Sequence, residues 1–474
     1  MLSAAGAKVW DSEEISRVLG ISQENFWEAT GVSIDSRSTK PGDLFIAIKG
    51  PNNDGHNYLS EVARAGAAAA VVHHENKSDT LPLIKVNNTK DTLYRMAYFA
   101  RARTNAKILA ITGSVGKTGT KEMLRLMLSS QGSVSASEGN LNNEWGLPLS
   151  LARMAADVQF GVFEIGMSAP GEIGDLSKIA MPDVSIITAV EYAHSAYFSS
   201  INDIASAKAE IVSGMKPDGL LILNRDSKFF EKIKSIAAVY GVTSIKTFGK
   251  HPKADFKLID ATREQDLTHI KAELDGVMLD FKIGIHGQHW AINALAALAA
   301  VKSLGGDLVN ALEKLATAGA VAGRGQSHKI QIQGGYFTLI DESYNANPAS
   351  MRAAMHVLSE SPVGRNGRRI AVLGDMLELG VRAAEFHEEL SDPIRINSID
   401  MVFLVGTEMA KLWRILPESL RGGYAETVNG ISSELLSSIR AGDVIMIKGS
   451  SGTKMRNLVE DVAALQALYT GTDK

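Results

Sequence analysis

At 474 residues, with 45% hydrophobic and 22% charged side chains, the chain has the composition of an ordinary globular protein of about three domains. A formal net charge of -4 excludes a strong electrostatic case for nucleic acid or an anionic membrane, so an anionic ligand must be held by local basic residues and backbone amides. The absence of cysteine excludes disulfides, thiolate metal sites and cysteine nucleophiles, and agrees with a cytoplasmic protein.

The N-terminal stretch MLSAAGAKVWDSEEI lacks a basic leader and a sustained apolar core, so no signal peptide is expected. Residues 1–103 hold strand candidates DLFIAIKG (43–50) and AAAAVVHH (67–74) around a helix candidate, YLSEVARAGA (58–67), which reads as a small α/β domain. Residues 104–324 open with KILAIT (107–112), an apolar run expected as a buried parallel strand. GVFEIGM (161–167), VSIITAV (184–190) and GLLILN (219–224) are runs of the same kind. Helical patterns at 118–130 and 201–215 separate them, so a doubly wound parallel sheet is predicted. The apolar helix candidate WAINALAALAAVKSLGG (290–306) is too short to span a bilayer. Residues 325–474 alternate again: YFTLID (336–341), RIAVLGDM (369–376), MVFLVGT (401–407) and DVIMIKGS (443–450), with a helical stretch at 384–394. A third parallel α/β domain is expected there.

In such sheets ligands gather beyond the carboxyl ends of the strands. KILAIT runs into Gly113-Ser114-Val115-Gly116-Lys117-Thr118. The usual phosphate loop, G-x-x-x-x-G-K-[ST], would place glycine at 111, where Ile111 stands. A plain strand-to-helix turn is the alternative, but Gly-Lys-Thr opening a helix straight after a buried strand favours a phosphate loop. Backbone amides and the helix N-terminus suit an anion, Lys117 reaches terminal phosphates and the Thr118 hydroxyl suits Mg²⁺. Glu164 lies inside an apolar strand, which is costly unless the carboxylate is paired, metal-bound or on an edge facing water. His194 follows the next strand and alone reads as a structural or surface histidine. With Thr118 and Glu164 it would lie at the same end of three strands, as in a metal–nucleotide site. Lys208 alone reads as a solvated helix lysine, and Asn224 and Asp226 as turn residues past a strand. Asn140, Asn142 and Asn143 bunch before a Gly-Leu-Pro turn and offer uncharged donors and acceptors.

These segments resemble the Mur ligase family over essentially the whole chain. The resemblance rests on GSVGKT (113–118), GNLNNEWGLPLSL (139–151), FEIGMSAPGEI (163–173), AVLGDMLELG (371–380) and KGSSGTKM (448–455). GVSIDSRSTKPGDLFIAIKG (31–50) and DGHNYLSEVARAGA (54–67) resemble the family's uridine-nucleotide domain. In this family the phosphate loop is normally the short form. DESYNANPASMRAA (341–354) resembles the member that adds D-alanyl-D-alanine to UDP-N-acetylmuramoyl-tripeptide through an acyl phosphate, forming the pentapeptide precursor of peptidoglycan. The resemblance implies a UDP-sugar-binding domain at 1–103, an ATP-binding P-loop domain at 104–324 and a Rossmann-like ligase domain at 325–474.

The resemblance also implies residue roles. Gly113, Ser114, Val115, Gly116, Lys117, Thr118 and Gly119 would hold ATP, with Lys117 on the β- and γ-phosphates. Thr118 and Glu164 would serve one Mg²⁺ and His194 a second. Lys208 would be carboxylated by CO₂, its carbamate helping to place the second ion, so Lys117, Lys208 and His194 form the catalytic set. Asn293 would lie near the adenine, and Arg324 and Asp341 near phosphate and ribose. Ser36 and Arg37 would meet the uridine nucleotide, and Asn140, Asn142, Asn143, Asn345 and Asn347 the substrates. His387 is a candidate to take the proton of the attacking amine, against its reading as a helix-cap or surface histidine. Implied partners are the two small-molecule substrates, with no nucleic acid and no membrane span, and the chain is expected as a cytoplasmic monomer. Four residues depart from the family pattern: Val115 for a polar residue, Gly119 for Thr or Ser, Ala209 for Gly and Ser451 for Arg. A nucleotide-hydrolysing module would need neither the asparagine cluster nor two flanking α/β units, and a scaffold with a vestigial loop would not keep Lys117, Thr118, Glu164 and His194 together.

Overall fold

The computed structural model describes residues 8–22, 25–74, 81–193 and 197–470, the side chains of 468–470 excepted. A short antiparallel ribbon, β1 (Trp10–Asp11) with β2 (Glu28–Ala29), precedes a four-stranded parallel sheet. That sheet runs β3 (Gly31–Ser33), β4 (Asp43–Ile46), β5 (Ala69–Val72), β6 (Leu83–Lys85) in spatial order. Every residue of β4 and β5 is buried, which is why these runs read as continuously apolar.

The central sheet has nine strands. In chain order they are β7 (Lys107–Thr112), β8 (Val134–Ala136), β9 (Phe160–Glu164), β10 (Val184–Ile187), β11 (Leu220–Asn224), β12 (Ile245–Gly249), β13 (Phe256–Glu264), β14 (Leu267–Leu274) and β15 (Val277–Ile283). In space they run β15-β14-β13-β12-β11-β10-β7-β9-β8. The strands from β7 to β13 pair in parallel, as expected, but β13, β14 and β15 form an antiparallel meander. The sheet is therefore mixed. The cause is a two-residue hairpin: Asp275 and Gly276 both take positive φ, the conformation that matches strand twist in tight β-turns. Buried and more open residues alternate along β14, so one face meets the core and the other meets water.

Chain order departs from spatial order on either side of β7, which has β10 on one flank and β9 on the other. Such a switch point opens a crevice at the carboxyl ends of the strands. The helix Lys117–Leu128 starts there and packs on the alanine-rich helix Gln288–Ser303, whose Cβ-sized side chains let the two approach closely. The expected long helix at 201–215 ends at Ala209 and continues as a 3₁₀ segment, Glu210–Gly214. There the Glu210 carboxylate accepts from the Gly171 amide at 2.9 Å and so caps the helix Glu172–Ala180.

The third sheet is β16 (Gln326–Ile332), β17 (Gly335–Glu342), β21 (Val444–Lys448), β18 (Arg369–Gly374), β19 (Met401–Val405) and β20 (Arg421–Ala425) in spatial order. It is parallel except for the β16–β17 hairpin. The helical stretch at 384–394 divides into Ala383–Glu388 and Ser391–Ile396. Among the described residues no helix is long and apolar enough to cross a membrane.

Trp10 joins the first unit to the second. Its indole donates to the Ala152 carbonyl at 2.7 Å, and the Arg103 guanidinium lies 4.2 Å from its ring centre. The side chain is fully buried. Trp10→Ala is expected to cost about 3–5 kcal/mol in urea unfolding, the range for removing a buried large aromatic. A cost below about 1 kcal/mol would show that this joint contributes little.

Candidate active site

The loop after β7 is held against the segment that follows β10. Ser114 donates from its amide to Ala189 O at 2.8 Å and from Oγ to Glu191 O at 2.8 Å. Thr188, just past β10, donates from Oγ1 to Val115 O at 2.6 Å. Val115 therefore serves through its carbonyl, and an apolar side chain at the loop tip is compatible with a rigid loop. Gly116 has φ 86°, and a Cβ there would lie 2.9 Å from both polar atoms of the Asn293 amide. Lys117 folds back over the loop, with Nζ 2.8 Å from Gly113 O and 3.9 Å from Glu164 Oε1.

Glu164, at the end of β9, is the centre of a small polar cluster. It is 3% exposed. One carboxylate oxygen accepts from Thr118 Oγ1 and the other from Asn142 Nδ2, each at 2.8 Å. Lys208 is 2% exposed. Burial, reinforced by the charge of Lys117, holds its pKa well below that of an ordinary lysine. The helix lysine that reads as solvated from sequence is in fact sealed inside. Burial also lowers Lys117, against the attraction of Glu164.

The third unit closes the other side. A cavity of about 220 Å³ is bounded by Ser114, Val115 and Gly116 of the loop, by Trp290 and Asn293 of the alanine-rich helix, and by Arg324, Asn345, Asn347 and Lys448 from beyond residue 322. Asn347 caps the helix Pro348–Glu360 through a reciprocal capping box with Ser350, and its Nδ2 lies 3.5 Å from Ser114 O. Lys448, at the end of β21, donates to Asn345 O at 2.9 Å and lies 3.3 Å from Glu342 Oε2. The Arg324 guanidinium stacks 4.0 Å from the Tyr344 ring centre, and its Nε is buried without a partner. Burial lowers Lys448, and burial with the nearby Lys448 and His356 charges pushes His289 down to about 4, so this imidazole is neutral at pH 7. Arg324 is close enough to depress both Lys117 and Lys448, so these cations share one electrostatic neighbourhood. Such a region favours a polyanion.

Other expected residues lie apart or serve the backbone. His194 lies outside the described residues. Asp341 turns to Ser343, accepting from its amide at 3.0 Å and its hydroxyl at 2.6 Å, and does not line the cavity. Asn143 Oδ1 accepts from the Gly146 amide at 3.0 Å at the start of the helix Gly146–Ala152, and Asn140 gives its carbonyl to the Asn142 amide. Ser36 and Arg37 sit in the turn after β3, where Arg37 pairs with Asp35 at 2.6 Å. Asn224 donates to Thr188 O at 3.1 Å at the cavity edge, whereas Asp226 only ties the backbone of Lys250 and His251. His387 is fully buried and satisfied: Nε2 accepts from the Met376 amide at 3.0 Å and Nδ1 meets Ala383 O at 2.7 Å. It is a structural histidine and is not placed to take a proton from a substrate.

His289, Trp290, Glu342 and Lys448 were not singled out in the sequence reading. Lys448 ends an apolar strand, the same signal that marks Glu164. Trp290 explains the departure at Gly119, because a Cβ at 119 would lie 2.3 Å from Trp290 Cζ3.

Family profiles match along the chain: "Mur ligase family, catalytic domain" at residues 28–105, "Mur ligase middle domain" at 111–301 and "Mur ligase, glutamate ligase domain" at 323–451. The UDP-N-acetylmuramoyl-tripeptide--D-alanyl-D-alanine ligase of Rickettsia prowazekii is 34% identical over 453 residues, covering 95% of this chain and 99% of the relative. The enzyme of the same name from Bacillus subtilis is 34% identical over 444 residues, covering 91% and 93%. Among solved structures, MurF from Acinetobacter baumannii superposes with TM-score 0.83 at 28% identity, covering 96% of this chain and 98% of that one. MurF ligase from Thermotoga maritima in complex with ADP superposes with TM-score 0.77 at 28% identity, covering 92% and 98%.

Gly119→Thr restores the residue type usual in the family but overpacks Trp290. It is expected to cost about 1–3 kcal/mol of stability and to weaken nucleotide binding, with part of both regained on adding Trp290→Ala. Thermal melts and titration with a fluorescent ADP analogue check this. Unchanged values for the single variant would show that the two side chains do not compete.

Proposed function

The chain belongs to the Mur ligase family, and we propose that it joins D-alanyl-D-alanine to UDP-N-acetylmuramoyl-tripeptide, converting ATP to ADP and phosphate. The observation that carries this reading is one cavity with the phosphate loop on one side and Arg324 and the buried Lys448 on the other, beside the half-buried Lys117. In this reading residues 1–103 hold the uridine nucleotide through the Ser36–Arg37 turn, 104–324 hold ATP and 325–474 bring the amine. In the same reading the enzyme works as a monomer in the cytoplasm.

The tripeptide carboxylate attacks the γ-phosphorus of ATP. An oxygen–phosphorus bond forms, the bond to the β-phosphate oxygen breaks and ADP leaves. The dipeptide amine then attacks the acyl carbon, phosphate departs and the amine loses its proton. Two anions must meet in the first step, and Lys117 with the loop amides offsets their repulsion. Arg324 and Lys448 add positive charge from the third unit. Holding three substrates in line is chiefly a positioning task, and the Asn347–Ser114 approach joins the units that must do it. His387, one candidate for the proton acceptor, is buried and holds two backbone partners, which favours a structural role.

The residues present fit Mg²⁺. Thr118 Oγ1 and a Glu164 oxygen stand 2.8 Å apart, both hard oxygen donors, and Asn142 orients the other carboxylate oxygen. Bound there, the ion would neutralise charge on the transferring phosphoryl group. A second ion with His194 rests on the family resemblance. Lys208 suits carboxylation: its lowered pKa leaves amine available to attack CO₂, forming a nitrogen–carbon bond with loss of a proton. The carbamate replaces a buried amine with an anion.

Phosphate release from ATP should require both UDP-N-acetylmuramoyl-tripeptide and D-alanyl-D-alanine, and release independent of either would overturn the reading. Lys117→Ala should lower turnover by at least about 100- to 1,000-fold with the fold intact, as judged by circular dichroism. Lys208→Met should also abolish turnover, yet be more stable than the parent at pH 7 in CO₂-free buffer. The sign follows from the lowered pKa: unfolded lysine keeps its proton up to its ordinary value, whereas the folded state resists it. The native lysine therefore costs stability at pH 7, and the gap closes as pH rises toward 10.5. A Met variant less stable at pH 7 would contradict this.

A further inference from the structure

Outside the cavity, the first unit contains a cluster of histidines. The parallel strands β4 and β5 lie side by side, and their carboxyl-terminal loops bring His56, His73 and His74 together. The ring centres are 4.3 Å apart for His56–His73, 4.6 Å for His56–His74 and 4.0 Å for His73–His74. One nitrogen from each lies within 4.8 Å of the others. Consecutive residues of a regular strand point to opposite faces, but the chain bends at His73 and His74, and their rings meet.

We propose that His56, His73 and His74 bind one late first-row transition-metal dication, with Zn²⁺ as the natural probe. Three imidazole nitrogens select such ions over Mg²⁺, which takes oxygen. Outer partners already orient two of the rings. Asp54 Oδ1 lies 2.6 Å from His56 Nδ1, the carboxylate–histidine arrangement that fixes the tautomer and raises the basicity of the other nitrogen. Thr89 Oγ1 lies 3.4 Å from His73 Nδ1. Both rings are thereby left with Nε2 for a ligand. Burial and the neighbouring His56 and His74 keep His73 below its ordinary pKa, so its lone pair is free at neutral pH. His74 is half exposed and provides an entry path, and Asp54 Oδ2, 3.9 Å from His74 Nε2, offers a fourth donor.

Binding requires small movements. Metal–nitrogen bonds of about 2.0–2.1 Å draw tetrahedral donors to roughly 3.4 Å from one another. His56 Nε2 also accepts from the His73 amide at 3.0 Å, and metal binding exchanges that contact for a coordinate bond. The bound ion would clamp the 3₁₀ turn Gly55–Tyr58 to the end of β5. The proposal is independent of the ligase reading.

The test uses the untagged full chain, stripped with chelator and titrated with ZnCl₂ by calorimetry in excess MgCl₂. One Zn²⁺ per chain is expected, with a tetrahedral visible spectrum when Co²⁺ replaces it. Asp54→Asn should weaken binding about 10- to 100-fold. His74→Ala, at a half-exposed position and with the fold checked by circular dichroism, should abolish the tight site and the cobalt spectrum. Absence of zinc uptake by the parent, or uptake unchanged in both variants, would overturn the proposal.

Discussion

The structure turns on buried positive charge where the second and third units meet. Lys117, Lys208 and Lys448 are each held below the ordinary lysine pKa by burial, and Arg324 lies near enough to depress two of them. Among the described residues Glu164 raises Lys117, and Glu342 with a smaller contribution of Asp341 raises Lys448. Removing cations from water is costly. A ligand bearing several negative charges converts that cost into binding energy, and a nucleoside triphosphate has the charge and the shape to do so.

The rest of the fold serves to hold those groups in place. The switch point at β7 opens the crevice, and the short loop is pinned there by the Thr188 hydroxyl donating to Val115 O and by the Ser114 amide donating to Ala189 O. The alanine-rich helix brings Asn293 against Gly116 and Trp290 against Gly119, and neither glycine could bear a side chain without displacing its neighbour. The third unit then supplies Lys448 from a strand end and Asn347 from a helix cap. Cap and strand are rigid elements, which suits groups that must sit within fractions of an ångström of a reacting phosphate.

Much of this was legible in the sequence where the signal is local. Alternating apolar runs gave three α/β units, and a lone carboxylate in GVFEIGM marked Glu164 as paired, metal-bound or on an edge facing water. The loop was recognisable despite Ile111 because its chemistry rests on Gly116, Lys117 and Thr118. What remained hidden depends on distance along the chain. Lys208 looks like a surface lysine until the helices around it are packed. His289 and Trp290 face the cavity only because a helix some 170 residues after the loop lies against it. The antiparallel meander was missed although Asp275-Gly276 is a recognised hairpin pair, because the strands before it set an expectation of parallel pairing. His387 shows the opposite case, a histidine in a promising segment whose partners are both backbone atoms.

The central claim is that this buried charge is a seat for the terminal phosphates of ATP. Thermal melting with a non-hydrolysable ATP analogue, ADP and AMP in the presence of Mg²⁺ tests it most directly. The account predicts stabilisation in the order triphosphate, diphosphate, monophosphate, with the advantage of the triphosphate lost in Lys117→Ala. Equal shifts for the three nucleotides, or an order unchanged by that substitution, would contradict it.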